Sequence, residues 1–333
     1  MPASFPRPPV DDRALYDLDF GRFARPMVAF CQELGLYERL ANGALDIAAV
    51  ATTFDIPSRA AEAALVMSAA LGFLEVDTAG RYALSSCGRA YHFPSSPFFR
   101  PMIARDREMA ENLASAFSSA DPIDPHAVNI EQHAHEKIAE FINRMHSLTL
   151  PAASALGELD VFADVDHLLD VGGGSGSLSC GLAARLPDLH CTILDVEPVC
   201  RIAAGNAGDY GLEDRVDTVA ADMFDGDWPG GQDAVLFGNI FHDWDPESCG
   251  HLAAHAHAAL KPGGRILLHE ILLNDRRDGP LIAACMSVAM LLHERGKQYS
   301  LAEFDTMLSQ AGFVDCQALP AYGHYHLVVA RRR

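Results

Sequence analysis

No apolar run in the 333-residue sequence approaches the roughly 18–20 residues that a helix needs to cross a bilayer. The N-terminus, MPASFPRPPVDDR, has no apolar core of the signal-peptide kind and reads as a loose arm. No membrane partner is expected, and the expected location is cytoplasmic. Paired cysteines are missing too. The eight at positions 31, 87, 180, 191, 200, 249, 285 and 316 form no CxxC motif, and most sit inside apolar segments. Reduced core thiols are expected in place of a disulfide framework. Positive charge is scarce: 25 Lys and Arg stand against 45 Asp and Glu, a formal net charge of -20. Such a surface repels nucleic acid phosphates and does not oppose a cationic ligand. The terminal Arg331-Arg332-Arg333 is then a short solvated tail, not a nucleic acid patch. Internal repeats and low-complexity tracts are absent as well.

What is present is an ordinary globular composition, 49% hydrophobic and 21% charged, with enough length for two cores. The hydrophobic period divides the chain near residue 150. Residues 1–150 are mainly helical in pattern: FARPMVAFCQELGLYERLA carries apolar residues at helical spacing and stops near Asn42-Gly43. The following LDIAAVATTFDIPSRAAEAALVMSAALGFLEVDTAGRYALS predicts helix, tight turn, helix, then two short strands around DTAG, with Ser58 as N-cap of the second helix. That order resembles a winged helix-turn-helix and raises a DNA-binding regulator as one function class. Between Ser58 and Leu71, however, Arg59 is the only basic residue where a recognition helix needs donors. The surrounding Ala, Leu, Val and Met suit packing against protein, so a dimerisation module is the better expectation. A helical stretch from Asp124 to Leu150 is expected to link the halves and to roof the cleft.

Residues 151–333 alternate strand and helix. The expected strands are HLLDVG (167–172), CTILDV (191–196), VDTVAAD (216–222), DAVLFGN (233–239) and RILLHE (265–270), with LKPGG (260–264) as a turn. VDCQALP and YHLVVARR close the chain as a hairpin. The fold class is α/β, a doubly wound parallel sheet ending in antiparallel strands.

Three features at the carboxyl ends of these strands point to a nucleotide-like ligand. Asp170 leads into Gly172, Gly173, Gly174, Ser175 and Gly176, a turn over which a ligand can approach the backbone. Asp195 ends the second strand, placed for ribose hydroxyls. Asp222 ends the third, with Met223 and Phe224 beside it to suit an adenine amine and ring. The glycine spacing is G-x-G-x-G, which together with the hairpin counts against an NAD dehydrogenase.

With these residues in place the chain resembles the class I S-adenosylmethionine (SAM)-dependent methyltransferases. Among them it is similar to the small-molecule O-methyltransferase family that includes plant caffeate and bacterial phenazine and polyketide enzymes. DVGGGSG, DMF, HDWD, LKPGG and the late AGF carry that resemblance across nearly the whole chain. It implies a winged-helix-like dimerisation domain over residues 1–150, a catalytic domain over 151–333, and a homodimer. It also implies SAM contacts at Gly172, Gly174, Asp195, Val196, Asp222, Met223 and Phe224, with Asn239 near the methionine end.

The stretch VLFGNIFHDWDPES then gains a meaning. Ligands of open α/β sheets bind beyond the carboxyl ends of the strands, and His242 follows the fourth strand. Asp245-Pro246 fits a helix start, and Trp244 a packing residue. In the resembled family the matching histidine is the general base, so His242 is expected to take a proton with Glu270 supporting it. His269, one residue earlier on the alternating strand, should face away.

One segment departs from the family. In LLHERGKQYS, Gln298 stands where a glutamate is usual and Tyr299-Ser300 where Arg-Thr is usual. His242, Asp243 and the nearby His293 make two imidazoles and a carboxylate, the donor set of a facial metal triad for Zn or Fe. That set resembles the α-keto acid C-methyltransferase branch of the superfamily. The expected function is metal-assisted C-methylation at the β-carbon of a 2-oxo acid, with Glu270 as proton acceptor. The alternative is O-methylation of a phenolic or hydroxylated secondary metabolite with His242 as general base. A SAM-binding relative without turnover is a further class. Phe141, Met145, Phe241 and Met290 are the expected apolar walls of the small-molecule acceptor site.

Overall fold

A computed structural model describes residues 8, 10–96, 99, 107–119 and 135–333. The chain divides into two compact units that are each discontinuous in sequence. One combines residues 14–128 with Leu272–Ala302; the other combines 1–13, Asn129–Ile271 and Glu303–Arg333. Residues 135–150 belong with the sheet, and the segment carrying His293 belongs with the helical unit. No described helix is long and apolar enough to cross a membrane.

In the helical unit, α1 (Arg13–Gly21), α2 (Ala24–Glu33), α3 (Leu36–Ala41), α4 (Ile47–Phe54) and α5 (Ser58–Ala70) precede the antiparallel pair β1 (Leu74–Val76) and β2 (Tyr82–Leu84). Short α6 (Ser86–Tyr91) and α7 (Arg107–Ser118) follow. Asp46 caps α4 by accepting the Ala49 N–H at 2.8 Å. Ser58 does not cap α5: Pro57 holds the extended cap position and Ser58 is already helical, so its hydroxyl makes no cap bond. Almost all of α5 from Ala60 to Ala69 is buried, packed against α12 (Leu281–His293). The apolar surface expected to meet a second subunit is thus covered by the chain's own helix. Arg59 is tied down as well, donating to the carbonyls of Met290 at 2.7 Å and Glu294 at 2.6 Å. This helix has neither the face nor the free cation of a DNA reader.

The other unit begins with α8 (His135–Leu156); the expected helix start at Asp124 lies outside the described residues. Strands and helices then alternate: β3 (His167–Val171), α9 (Ser177–Arg185), β4 (His190–Asp195), α10 (Glu197–Tyr210), β5 (Val216–Ala220), β6 (Gln232–Gly238), α11 (Pro246–Ala259) and β7 (Leu260–Glu270). After α13 (Leu301–Gln310) the hairpin β8 (Phe313–Pro320) and β9 (His326–Arg332) closes the sheet. The order is β5-β4-β3-β6-β7-β9-β8, with β3 to β7 parallel and β9 antiparallel to both neighbours. LKPGG is not a separate turn. It belongs to β7, where Gln232 pairs with Leu260 and the next pair is Ala234 with Arg265, so the extra residues bulge out.

Leu168, Ile193, Leu236, Leu267 and Val329 share the buried core of this sheet. The chain reverses its winding between β3 and β6, which places the switch-point crevice beyond Val171 and Gly238. The cysteines are free: six are buried, Cys87 is exposed and Cys316 is half-buried.

Asp170, inside β3, is 1% exposed. One of its oxygens accepts the Ser179 hydroxyl at 2.6 Å, and the other has no partner. Burial raises its pKa to about 6. The native state then holds this proton more tightly than the unfolded chain, so stability falls as pH rises from about 4 to about 6 and levels off above. Two pKa units correspond to about 3 kcal/mol. Asp170→Asn, which keeps an acceptor for Ser179, should flatten that fall by a comparable amount. Urea midpoints measured across pH 4 to 7 check this, and parallel curves for the two proteins would refute it.

Candidate active site

Glycines shape the turn from β3 into α9, and two of them bear on a ligand's approach. Gly172 has φ +65°, and a Cβ there would sit 2.5 Å from Ile240 Cδ1. Gly174 has φ +57°, and its Cβ would point into open space, 4.0 Å from the nearest atom. Any side chain at 172 collides; any side chain at 174 is strained and fills the space above the turn. The Gly174 N–H donates to Asp195 Oδ2 at 2.9 Å, and the Val196 N–H donates to Oδ1 at 2.8 Å. Burial nevertheless pushes the Asp195 pKa up to about 6, against these two donors.

Two further side chains brace the turn, and neither was evident from sequence. His146 of α8 bonds Ser175 Oγ through Nδ1 at 2.9 Å, and Asn206 of α10 donates to the Ser175 carbonyl at 2.9 Å. Each lies about thirty positions from Ser175, with no motif linking them.

The Ala221 N–H donates to the Asp195 carbonyl at 3.0 Å, which lays the segment after β5 beside that of β4. Asp222 is exposed and accepts the Phe224 N–H at 2.8 Å. Phe224 stands edge-on to Trp244, centroids 4.6 Å apart, so Trp244 supports this loop by packing. Asn239 sits just past β6 in the left-handed region, φ +59°, its N–H donating to the His269 carbonyl at 3.1 Å. Its side-chain oxygen is buried without a partner. The tips of four adjacent strands thus carry a glycine cradle, two carboxylates, an orphaned carboxamide oxygen and an aromatic ring. Hydroxyls, an amine and a base would satisfy them. This set fits SAM.

At the tip of β6 a short 3₁₀ turn, Phe241–Asp243, presents His242. Its Nδ1 lies 2.6 Å from Glu270 Oε2, and its backbone N–H lies 3.4 Å from Oε1. Glu270 ends β7 and is 1% exposed. A carboxylate only accepts, so the contact with Glu270 places a proton on Nδ1. Asp243 Oδ1 is 3.4 Å from the ring's Nε2. Burial lifts the Asp243 pKa to about 6, with His242 opposing and Glu270 reinforcing the shift. Asp245 caps α11, accepting from Glu247 and Ser248 at 3.0 Å. His269 faces away from Glu270, as alternation requires, and stacks on Tyr325 at 4.2 Å.

The expected metal triad does not fit. His242 and Asp243 lie in the sheet unit and His293 in the helical unit. Among the described residues no group of three or more His, Cys, Asp or Glu is arranged to hold an ion. His242 Nδ1 bonds Glu270 at 2.6 Å and its Nε2 lies 3.4 Å from Asp243 Oδ1, so the described residues bring two of the three expected donors together without the third. Phe241 is wholly buried between Phe237, at 4.9 Å, and Phe304, at 6.0 Å, and serves the aromatic core. Phe141 is 38% exposed on α8, Met145 is half-buried on the same helix, and Met290 lies in the helical unit. Gln298 is fully buried there, with neither side-chain polar atom bonded.

The O-methyltransferase domain pattern matches residues 114–314. The chain is 32% identical to 3-hydroxy-5-methyl-1-naphthoate 3-O-methyltransferase of Streptomyces sahachiroi, over 90% of this chain and 88% of that one. It is 28% identical to L-tyrosine C(3)-methyltransferase of Streptomyces lavendulae, over 92% and 87%. An O-methyltransferase family 2 protein of Planctomyces limnophilus, solved in complex with apigenin, superposes with a TM-score of 0.87 at 26% identity, covering 99% of this chain and 98% of that one. Human N-acetylserotonin methyltransferase in complex with SAM gives 0.61 at 25% identity, covering 98% and 99%.

Two substitutions probe the cradle. Gly174→Ala should weaken SAM binding by about tenfold or more, because the methyl group both strains the turn and fills the approach. Asp195→Asn should weaken it too, and should abolish the loss of affinity expected as pH falls below about 6 and the carboxylate takes a proton. Calorimetric titration with SAM from pH 5 to 8 measures both; unchanged affinity in either variant would remove that residue from the site.

Proposed function

The chain belongs to the O-methyltransferase family of SAM-dependent small-molecule methyltransferases, and from that premise we propose that it methylates a phenolic hydroxyl on a small aromatic acceptor, with His242 as general base. The observation that carries this reading is the 2.6 Å contact between His242 Nδ1 and Glu270. It fixes the tautomer that leaves Nε2 ready to accept a proton. When bound, SAM supplies an electrophilic methyl group on a sulfonium. Gly172, Gly174, Asp195, Val196, Asp222, Met223, Phe224 and Asn239 are the residues proposed to hold it. His242 Nε2 takes the hydroxyl proton, and the resulting phenolate oxygen is the nucleophile. Glu270, buried against the ring, stabilises the imidazolium so formed, and Asp243 adds a second carboxyl group near Nε2. Like the orienting member of a hydrolase triad, Glu270 acts through the histidine.

The relatives favour a phenolic acceptor: the name of one specifies a hydroxynaphthoate, and one solved structure is an apigenin complex. Carbon methylation of a 2-oxo acid rests on a metal triad that the donor geometry does not assemble, so it takes second place. The tyrosine C(3)-methyltransferase among the relatives makes methylation at a ring carbon the alternative, and the product's methyl position separates it from O-methylation. Self-association through the helical unit belongs to the same proposal, supported by the exposed Leu15 and Leu18 of α1. Sedimentation that finds only monomers at all concentrations would remove it.

The test is turnover of SAM with hydroxynaphthoates, flavonoids and 2-oxo acids, with and without chelator. We expect O-methylated phenols, insensitive to chelator. His242→Gln should lower kcat by roughly 10²–10⁴-fold, the usual worth of a positioned base. Glu270→Gln should lower kcat less, with the SAM KM unchanged. Chelator-sensitive methylation at the carbon of a 2-oxo acid would overturn the proposal.

A further inference from the structure

A second pair of imidazoles lies on α11, outside the site just described. His251 and His255 are one turn apart on a single helix face, and their Nε2 atoms stand 3.2 Å from each other. The rings are 4.9 Å apart, centroid to centroid. His251 is exposed and His255 half-buried, and methyl transfer uses neither.

Exposed side chains at this spacing can turn away into water. Here both ring nitrogens converge on one point. Two nitrogens bound tetrahedrally at zinc–nitrogen distances are held about 3.3 Å apart, close to what these rings already show. A single N–H···N bond between neutral rings accounts for the same separation, and a cation would replace that one proton. Burial, with the like charge of His251, holds the His255 pKa below its ordinary value, opposed by Asp225. Imidazole binds metal in its neutral form. Negative charge is at hand: Asp225 acts electrostatically on His255, and Glu247 precedes His251 by one turn on the same face.

We propose that His251 and His255 form a chelating site for a late first-row divalent cation, Cu²⁺, Ni²⁺ or Zn²⁺, held by two imidazole nitrogens with water completing the coordination. The site abuts the loop that carries Asp222. The Trp228 ring stands edge-on to His255 at 5.3 Å, and its Nε1–H donates to the Met223 carbonyl at 3.2 Å. Phe224 lies 6.4 Å from His251. A cation at the pair would thus sit against a tryptophan that reports on it, one of two in the chain.

The test is titration of tag-free, full-length protein with Cu²⁺, followed by tryptophan fluorescence and electron paramagnetic resonance. We expect saturable quenching at one equivalent and a spectrum showing two nitrogen ligands. The double variant His251→Gln/His255→Gln should weaken binding by about tenfold or more and lose the quenching. Its methyl transfer without added metal should be unchanged, which shows that it is folded. His257→Gln, on the same helix but packed against Phe313, should titrate like the parent protein. A double variant that binds Cu²⁺ as tightly as the parent would overturn the proposal. So would loss of the signal in His242→Gln in its place.

Discussion

The hydrogen bond between His242 and Glu270 is the constraint on which the proposed chemistry depends. β6 and β7 are adjacent parallel strands, so their carboxyl ends lie side by side. A carboxylate that ends one strand meets an imidazole that follows the other. Burial of Glu270 removes water as a competing partner, and a contact of 2.6 Å commits one nitrogen of the ring. In the proposed reaction Nε2 is then the nitrogen that takes the proton. Without this bond the histidine would be a loop residue with two interchangeable tautomers.

The cofactor side is built by a similar economy of backbone. Gly174 hands its N–H to Asp195, Asp195 passes its carbonyl to Ala221, and Asn239 takes the His269 carbonyl. Two of these bonds are main-chain to main-chain and the third anchors the Asp195 carboxylate on a backbone N–H, so the acceptors proposed to face a ligand are held by the sheet. His146 and Asn206 add braces from α8 and α10. The Asp195 carboxyl lies in a medium apolar enough to lift its pKa to about 6. Such a group gains from a ligand hydroxyl that donates to it.

Much of this was legible in the sequence because it is local. The strand-to-helix glycine turn, the aspartates ending strands, Asp245-Pro246 as a helix start, and the terminal hairpin each follow from residues within a few positions of one another. Alternation along β7 correctly separated Glu270 from His269. What sequence reasoning missed is long-range. His146 and Asn206 carry no motif because the bonds to Ser175 arise only when the helices pack. The packing of Phe241 between Phe237 and Phe304 was likewise unmarked, because apolar residues near a site carry no sequence sign of which neighbours they meet. The burial of α5 was legible as apolar surface, yet its covering partner was the chain's own α12. The metal triad failed for a related reason: residue types can suggest a donor set, but only the fold decides whether the donors converge.

The central claim is the tautomer of His242, and nitrogen-15 NMR of histidine-labelled protein near pH 7.5 tests it most directly. The account predicts a protonated Nδ1 with a far-downfield proton, an unprotonated Nε2, and loss of that downfield proton in Glu270→Gln. A His242 resonance pair showing the proton on Nε2 would contradict it.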